Sequence, residues 1–242
     1  MNSKQQTAIK ESKMEITPST LIRWAGLPAV AAGLFFAAIQ PIHPADALAS
    51  VTTDAWAIIT PLKVVMCLFF LLGITGIYAR QMKKAGWLGL VGFLLLSLAW
   101  ALELAFIFAE AFIIPLLATS APTFVEGFFG IVNGHAIEAN LGALPALYAL
   151  LSVLYILGGL LFGISTFRAG ILPRRAAVLL AAASALTPLA ALLPHETQRY
   201  AAIPVGLALV WLGYALWAER REQAAEPLTD SVSLQFRQTG AD

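Results

Sequence analysis

Charge is scarce in this sequence: only 12% of its 242 residues are Asp, Glu, Lys or Arg, against about 25% in an ordinary soluble domain. That scarcity excludes water as the main solvent of the chain. Cysteine is scarcer still. Cys67 stands alone within an apolar run, so no intramolecular disulfide can form and cysteine usage says nothing of the redox compartment. No GxGxxG, GxxxxGKS/T or GxSxG occurs, which removes the motif grounds for nucleotide use and serine hydrolysis. HExxH and CxxC are missing too. The formal net charge of +1 comes with no basic face or stripe, so nucleic acid is not an expected partner.

What the chain has in abundance is apolar length. Hydrophobic residues make up 59% of it, gathered in continuous runs of about 20 residues rich in Leu, Ala, Gly and Phe. Lipid offers no hydrogen bonds to backbone groups, so a spanning chain must be helical or a closed barrel. A barrel strand needs only about 10 alternating residues, and these runs do not alternate. The reading is an all-α polytopic membrane bundle of six helices, at residues 21–41, 55–78, 86–117, 143–167, 175–193 and 200–218. The polar stretches 1–20 and 222–242 read as disordered tails, and the first span as an uncleaved signal anchor. The third run exceeds one vertical crossing, and tilt or a break at Pro115 would accommodate the excess. Between the third and fourth, Phe124, Val125, Phe128, Phe129, Ile131 and Val132 suit a short amphipathic segment lying flat in the interface.

Orientation follows from the Lys and Arg flanks. With the N-terminus cytoplasmic, Lys4, Lys10, Lys13, Arg23, Arg80, Lys83, Lys84, Arg168, Arg174, Arg175, Arg220, Arg221 and Arg237 all fall inside, and only Lys63 and Arg199 fall elsewhere. Both termini are therefore expected in the cytoplasm.

Ionisable groups at membrane depth are candidates for function, and three lie within the spans: Lys63, Glu103 and Glu110. At about 1.5 Å per residue, Glu103 lies about 24 Å from Trp87 and Glu110 about 34 Å, while Lys63 lies about 10 Å below Trp56. These depths suggest a Lys63–Glu103 ion pair. Glu103 and Glu110, seven residues apart, share one helical face. A proton or cation relay, or a polar substrate site, is one reading. A structural ion pair, with Glu110 wetted at the interface and Lys63 snorkelling, is the other.

The same topology puts His43, His135 and His195 on the outer side, near Asp46, Asp54, Glu126, Glu138 and Glu196. Imidazole with carboxylate suits zinc or another divalent ion, so His43, His135, Glu138 and His195 form a candidate metal set, although no cofactor is required by any motif. Small residues recur at packing spacings: Gly73 and Gly76; Gly86, Gly89 and Gly92; Gly159 and Gly163. They predict close helix approach, within the chain or between copies and partner helices. Pro28, Pro61, Pro188 and Pro204 lie in or near span interiors and are possible kinks.

Four strings, namely Ile42-His43-Pro44, residues 73–80 (GITGIYAR), residues 162–174 (FGISTFRAGILPR) and residues 211–217 (WLGYALW), resemble a group of uncharacterised bacterial six-span integral membrane proteins of the domain-of-unknown-function type. The resemblance covers most of residues 21–221 and implies a multi-pass protein of the bacterial cytoplasmic membrane. It brings no activity, substrate or catalytic residue. The functions left standing are a non-enzymatic auxiliary or structural component, a small-solute transporter, or a metal-dependent membrane enzyme with an outward-facing His/Glu site.

Overall fold

The computed structural model describes residues 17–135, 139–193 and 195–225. Among them every regular element is helical: α1 (Pro18–Trp24), α2 (Gly26–Ile39), α3 (Asp54–Phe112), α4 (Ile114–Leu117), α5 (Pro122–Asn133), α6 (Leu144–Ala169), α7 (Arg174–Leu186), α8 (His195–Gln198) and α9 (Ala202–Ala225), with 3-10 turns at Leu48–Ser50, Thr187–Leu192 and Arg199–Ala201. Four stretches are long and apolar enough to cross a membrane: Pro18–Ile39, Asp54–Phe112, Leu144–Ala169 and Arg199–Ala218.

The ends of these elements follow local chemistry. Thr17 caps α1 by accepting the Thr20 N–H at 3.2 Å, so the helix opens at Pro18, inside the stretch expected to be a tail. Pro28 lacks an N–H and crowds the carbonyl four residues back, which places the break between α1 and α2 at Ala25. Pro115 acts likewise: α3 stops at Phe112, and Ile113 is the turn residue that separates it from α4. In the fifth predicted span the α-helix ends at Leu186 and tightens to a 3-10 turn that carries Pro188. At the other terminus α9 continues to Ala225, past the expected start of the tail. The rest of both predicted tails, 1–16 and 226–242, lies outside the described residues.

At 59 residues α3 would be about 88 Å long if straight, nearly three bilayer cores. It is not straight. Gly86 has φ 59° and ψ −162°, a conformation closed to most L-residues, and the chain reverses there. The ring pairs Tyr78–Phe93 at 4.5 Å and Phe70–Trp100 at 3.5 Å, then the Lys63–Glu110 contact, step away from Gly86 on both sides. Residues 54–85 and 87–112 are thus the arms of an antiparallel helical hairpin.

Glycine sets how the helices meet. Cβ atoms added at Gly73 and Gly76 would strike Ala29 of α2 and Ala25 at the α1–α2 break; at Gly92 and Gly158 they would strike the facing backbones of α6 and α3; at Gly159 and Gly163, Ser184 and Ala181 of α7. Gly26 and Gly33 face Gly213 and Gly206 of α9 in the same way, and α7 in turn packs on α9. The result is a closed ring: α2, the two arms of α3, α6, α7 and α9. The glycine faces read from the sequence therefore meet within one chain, and Gly26, Gly33, Gly206 and Gly213 join them. Gly33→Val would set a branched side chain where even a Cβ lies 2.9 Å from the Val210 backbone nitrogen. It is expected to cost about 1–3 kcal/mol, read as a lower midpoint in mixed-micelle unfolding; an unchanged midpoint would refute backbone contact between α2 and α9.

One end of the ring is filled and basic. Phe70, Ile74, Ile77, Phe162, Leu209, Leu212 and Leu216 are each at most 2% exposed there. Arg23 Nε donates to the Trp217 carbonyl at 3.0 Å, and Gln81 Nε2 to Thr166 Oγ1 at 2.6 Å, so the flanks carrying Arg23, Arg80, Arg168 and Arg220 are drawn together. Large apolar side chains also cover the outside, among them Leu34, Leu72, Leu94, Phe108, Val153 and Leu207, as expected where the surroundings are as apolar as the core. The opposite end is closed by α5. Its Val125, Phe128 and Phe129 are buried against Trp56, Phe106 and Ile114, so the amphipathic segment turns its apolar face onto the bundle instead of onto lipid.

Candidate functional site

The end covered by α5 is hollow. A cavity of about 350 Å³ lies between the helices there, and its walls hold most of the ionisable groups that the spans contain. α2 ends at Ile39, and Pro41 and Pro44 forbid its continuation, so the chain turns inward and the His43 N–H bonds back to the Ile39 carbonyl at 2.9 Å. The turn is pinned from two sides: Arg199 Nη1 donates to the His43 carbonyl at 2.8 Å, and Asn133 Nδ2 to the Asp46 carbonyl at 2.9 Å.

Lys63 comes from the first arm of α3 and Glu110 from the second. Their Nζ and Oε1 atoms are 2.6 Å apart, and Lys63 Nζ also lies 2.8 Å from His43 Nε2. His43 Nδ1 is 2.6 Å from the Pro44 carbonyl oxygen. A carbonyl can only accept and an ammonium can only donate, so this geometry suits the tautomer with the proton on Nδ1 and the Nε2 lone pair toward Lys63. Trp56 Nε1 donates to the Glu110 carbonyl at 3.3 Å. The side chains of His43, Lys63 and Glu110 are 9%, 13% and 7% exposed, so this is a buried, charge-assisted network. Asp46 Oδ1 stands 3.9 Å from His43 Nδ1. Burial raises its carboxyl above the usual range, against the pull of Lys63, His43 and Arg199.

The predicted pairing of Lys63 with Glu103 is corrected: Lys63 is bound to Glu110. Helical side chains lean toward their helix N-terminus, and the two arms run oppositely, so Lys63 leans toward the His43 end while Glu110 leans away from it. They meet between their Cα depths. Glu110 is therefore buried and paired, not wetted at an interface. Glu103 lines the same cavity two turns deeper, and among the described residues it makes no hydrogen bond and no ion pair within 4 Å.

Of the described side chains in the predicted metal set, His43 lines the cavity. His135 is exposed at the end of α5 and is not among the lining residues. Glu138 lies outside the described residues, as does the side chain of His195. Among the described residues, the group whose ligand atoms come within 4.8 Å of one another is His43, Asp46 and Glu110.

Several lining residues were not singled out from the sequence: Gln40, Tyr148, Ser152, Tyr155 and Arg199. A signal existed for three of them. Tyr148, Ser152 and Tyr155 are spaced i, i+4, i+7 in the otherwise apolar first half of α6, a polar stripe on one face. Across from them, Trp100, Glu103, Ile107 and Glu110 form the matching stripe of α3. A second hollow of about 270 Å³, beside Leu102, Ile113, Phe124 and Leu147, is lined by apolar side chains alone and offers no chemistry. No family model matches the chain, and no curated protein or solved structure is similar to it.

Proposed function

We propose that this is a multi-pass protein of the bacterial cytoplasmic membrane with six crossings and both ends in the cytoplasm, and that it binds and carries a small polar solute through the cavity at its outer end. The observation that carries this reading is the cavity itself: a hollow of about 350 Å³ lined by His43, Asp46, Lys63, Glu103, Glu110 and Arg199, between helices whose remaining faces are apolar. Carriers place such sites among their helices. A purely structural bundle gains nothing from charged groups around a void, because each desolvated charge costs free energy.

Six crossings are supported by two features. The reversal at Gly86 makes two spans of α3, and α7 with the Thr187–Leu192 turn adds about 20 Å and about 12 Å, enough for one more. The gathering of Arg23, Arg80, Arg168 and Arg220 at one end supports cytoplasmic termini. Since the glycine faces are occupied within the chain, a homo-oligomer or partner helix would need another surface.

Single cysteines in a Cys67→Ala background test this reading. A membrane-impermeant maleimide applied to intact cells is expected to modify Asn140→Cys quickly and the cavity-lining Ser152→Cys more slowly. Lys84→Cys, at the basic end, should react only after permeabilisation. Protection of Ser152→Cys from the outside, with Asn140→Cys reactive, would remove the outward-opening cavity.

A second reading is favoured by one specific observation. His43, Asp46 and Glu110 can offer three ligand atoms to a divalent ion, and the bond from Nδ1–H to a carbonyl is how a liganding imidazole is oriented. The Lys63 ammonium stands between two of these groups, so a metal would have to displace it. After zinc loading, one ion per chain in the wild type and none in His43→Ala would support a metal centre; a ratio near zero in the wild type would retire it.

A further inference from the structure

Resting on that reading of the cavity as a solute site, we propose that its ligand is a small organic monocation, with the ammonium set against Glu103 and the body of the molecule against the rings of Trp100 and Tyr155. The cavity already shows how it holds an ammonium: Lys63 Nζ sits 2.6 Å from a Glu110 carboxylate oxygen and 2.8 Å from His43 Nε2. Two turns deeper on the same face, Glu103 repeats the carboxylate half of that arrangement. Among the described residues no cation pairs with it within 4 Å: the contacts of Lys63 go to Glu110 and His43, and Arg199 is bound to the His43 carbonyl.

A carboxylate that faces a half-open hollow, with no hydrogen bond to the described residues, is free to take a partner, and the ligand that suits it carries positive charge. The surroundings decide which kind. A hard metal ion needs six or more oxygen ligands, or near-octahedral geometry, whereas the cavity that Glu103 lines also presents aromatic rings. Trp100 stacks on Phe70 at 3.5 Å and meets Phe36 and Tyr155 edge-on at 5.4 Å and 6.1 Å. Phe36, Trp100 and Tyr155 all line the cavity. Rings around a carboxylate suit an alkylammonium, which gains from the ring quadrupoles as well as from the charge. The volume lies at the lower end of the range for small-molecule sites, about 300–1,000 Å³, which admits a compact amine.

The test uses the full chain in nanodiscs, with binding followed by titration calorimetry. The probes are choline and its uncharged isostere 3,3-dimethylbutan-1-ol. Choline is expected to bind at least about tenfold more tightly than the isostere, and Glu103→Gln to abolish that preference without lowering the unfolding midpoint. Should Glu103→Gln fail to fold, Glu103→Asp, which keeps the charge, is expected to retain a preference for choline. Equal binding of the two probes to the wild type, or an unchanged preference in Glu103→Gln, would overturn the cation assignment. If both probes bind equally and both are blocked by Ser152→Trp, the cavity remains a solute site and only its charge selectivity is lost. If neither binds while Ser152→Cys is still labelled from outside, the organic cation is likewise excluded.

Discussion

Replacing Lys63 by Met is expected to destabilise the protein by about 3–5 kcal/mol, because it leaves the Glu110 carboxylate buried without its cation. Glu110 is 6% exposed, so water replaces little of the 2.6 Å contact. The diagnostic result is the double variant. Lys63→Met with Glu110→Leu removes both charges together with their desolvation costs, and should recover most of the loss or exceed the wild type. Denaturant titration in mixed micelles would show a deep drop for the single variant and a rebound for the double. If Lys63→Met alone stays within about 1 kcal/mol of the wild type, the pair is solvated after all, and the buried network at the His43 end must be discarded.

Trp100→Ala is the second large effect. Trp100 is 3% exposed and touches three other rings, Phe36, Phe70 and Tyr155, so it joins α2, both arms of α3, and α6 at the floor of the cavity. Truncating a buried aromatic costs about 3–5 kcal/mol, the amount depending on how far the gap collapses. Trp100→Phe keeps a ring and should lose less than half as much. Thermal midpoints of the two variants measure the difference, and equal midpoints would mean that the cluster does not tie these helices together. The same residue lies beside Glu103, so Trp100→Ala should also enlarge the hollow. Trp100→Phe, which folds more readily, is the better background for binding experiments.

Much of this architecture is legible in the sequence, and the reason is the solvent. Lipid imposes one rule on every spanning segment: the backbone must satisfy itself and the side chains must be apolar. Runs such as residues 144–169 therefore declare themselves without knowledge of their neighbours. The prolines act locally as well, so the breaks near Pro28 and Pro115 and the tightened turn at Pro188 can be anticipated from missing N–H groups. Lys63, Glu103 and Glu110 stand out for the same reason, as charges where charge is costly.

Partnership is another matter. Counting rise along each helix put Lys63 level with Glu103, but a lysine side chain is several ångströms long and leans along its helix, which carried the ammonium to Glu110. The glycines at 73, 76, 159 and 163 announced close packing, yet nothing local said which backbone each would touch. Gly26 and Gly33 were overlooked because their partners, Gly213 and Gly206, lie some 180 residues away. The histidines show the same limit: a shared membrane side was read from the topology, and His43 reaches the cavity in company with Asp46 and Glu110 rather than His135.

Hydrophobic length, the positions of Pro and Gly, and the rarity of charge determined by themselves that the chain is a helical bundle suited to lipid, and which charges lie at depth, since each is a property of a residue and its immediate neighbours. Which carboxylate keeps a cation and which faces the hollow was decided only by the tertiary structure. It depends on the reversal at Gly86 and on the opposite lean of side chains from antiparallel arms, and these are relations between segments that no single stretch of sequence contains.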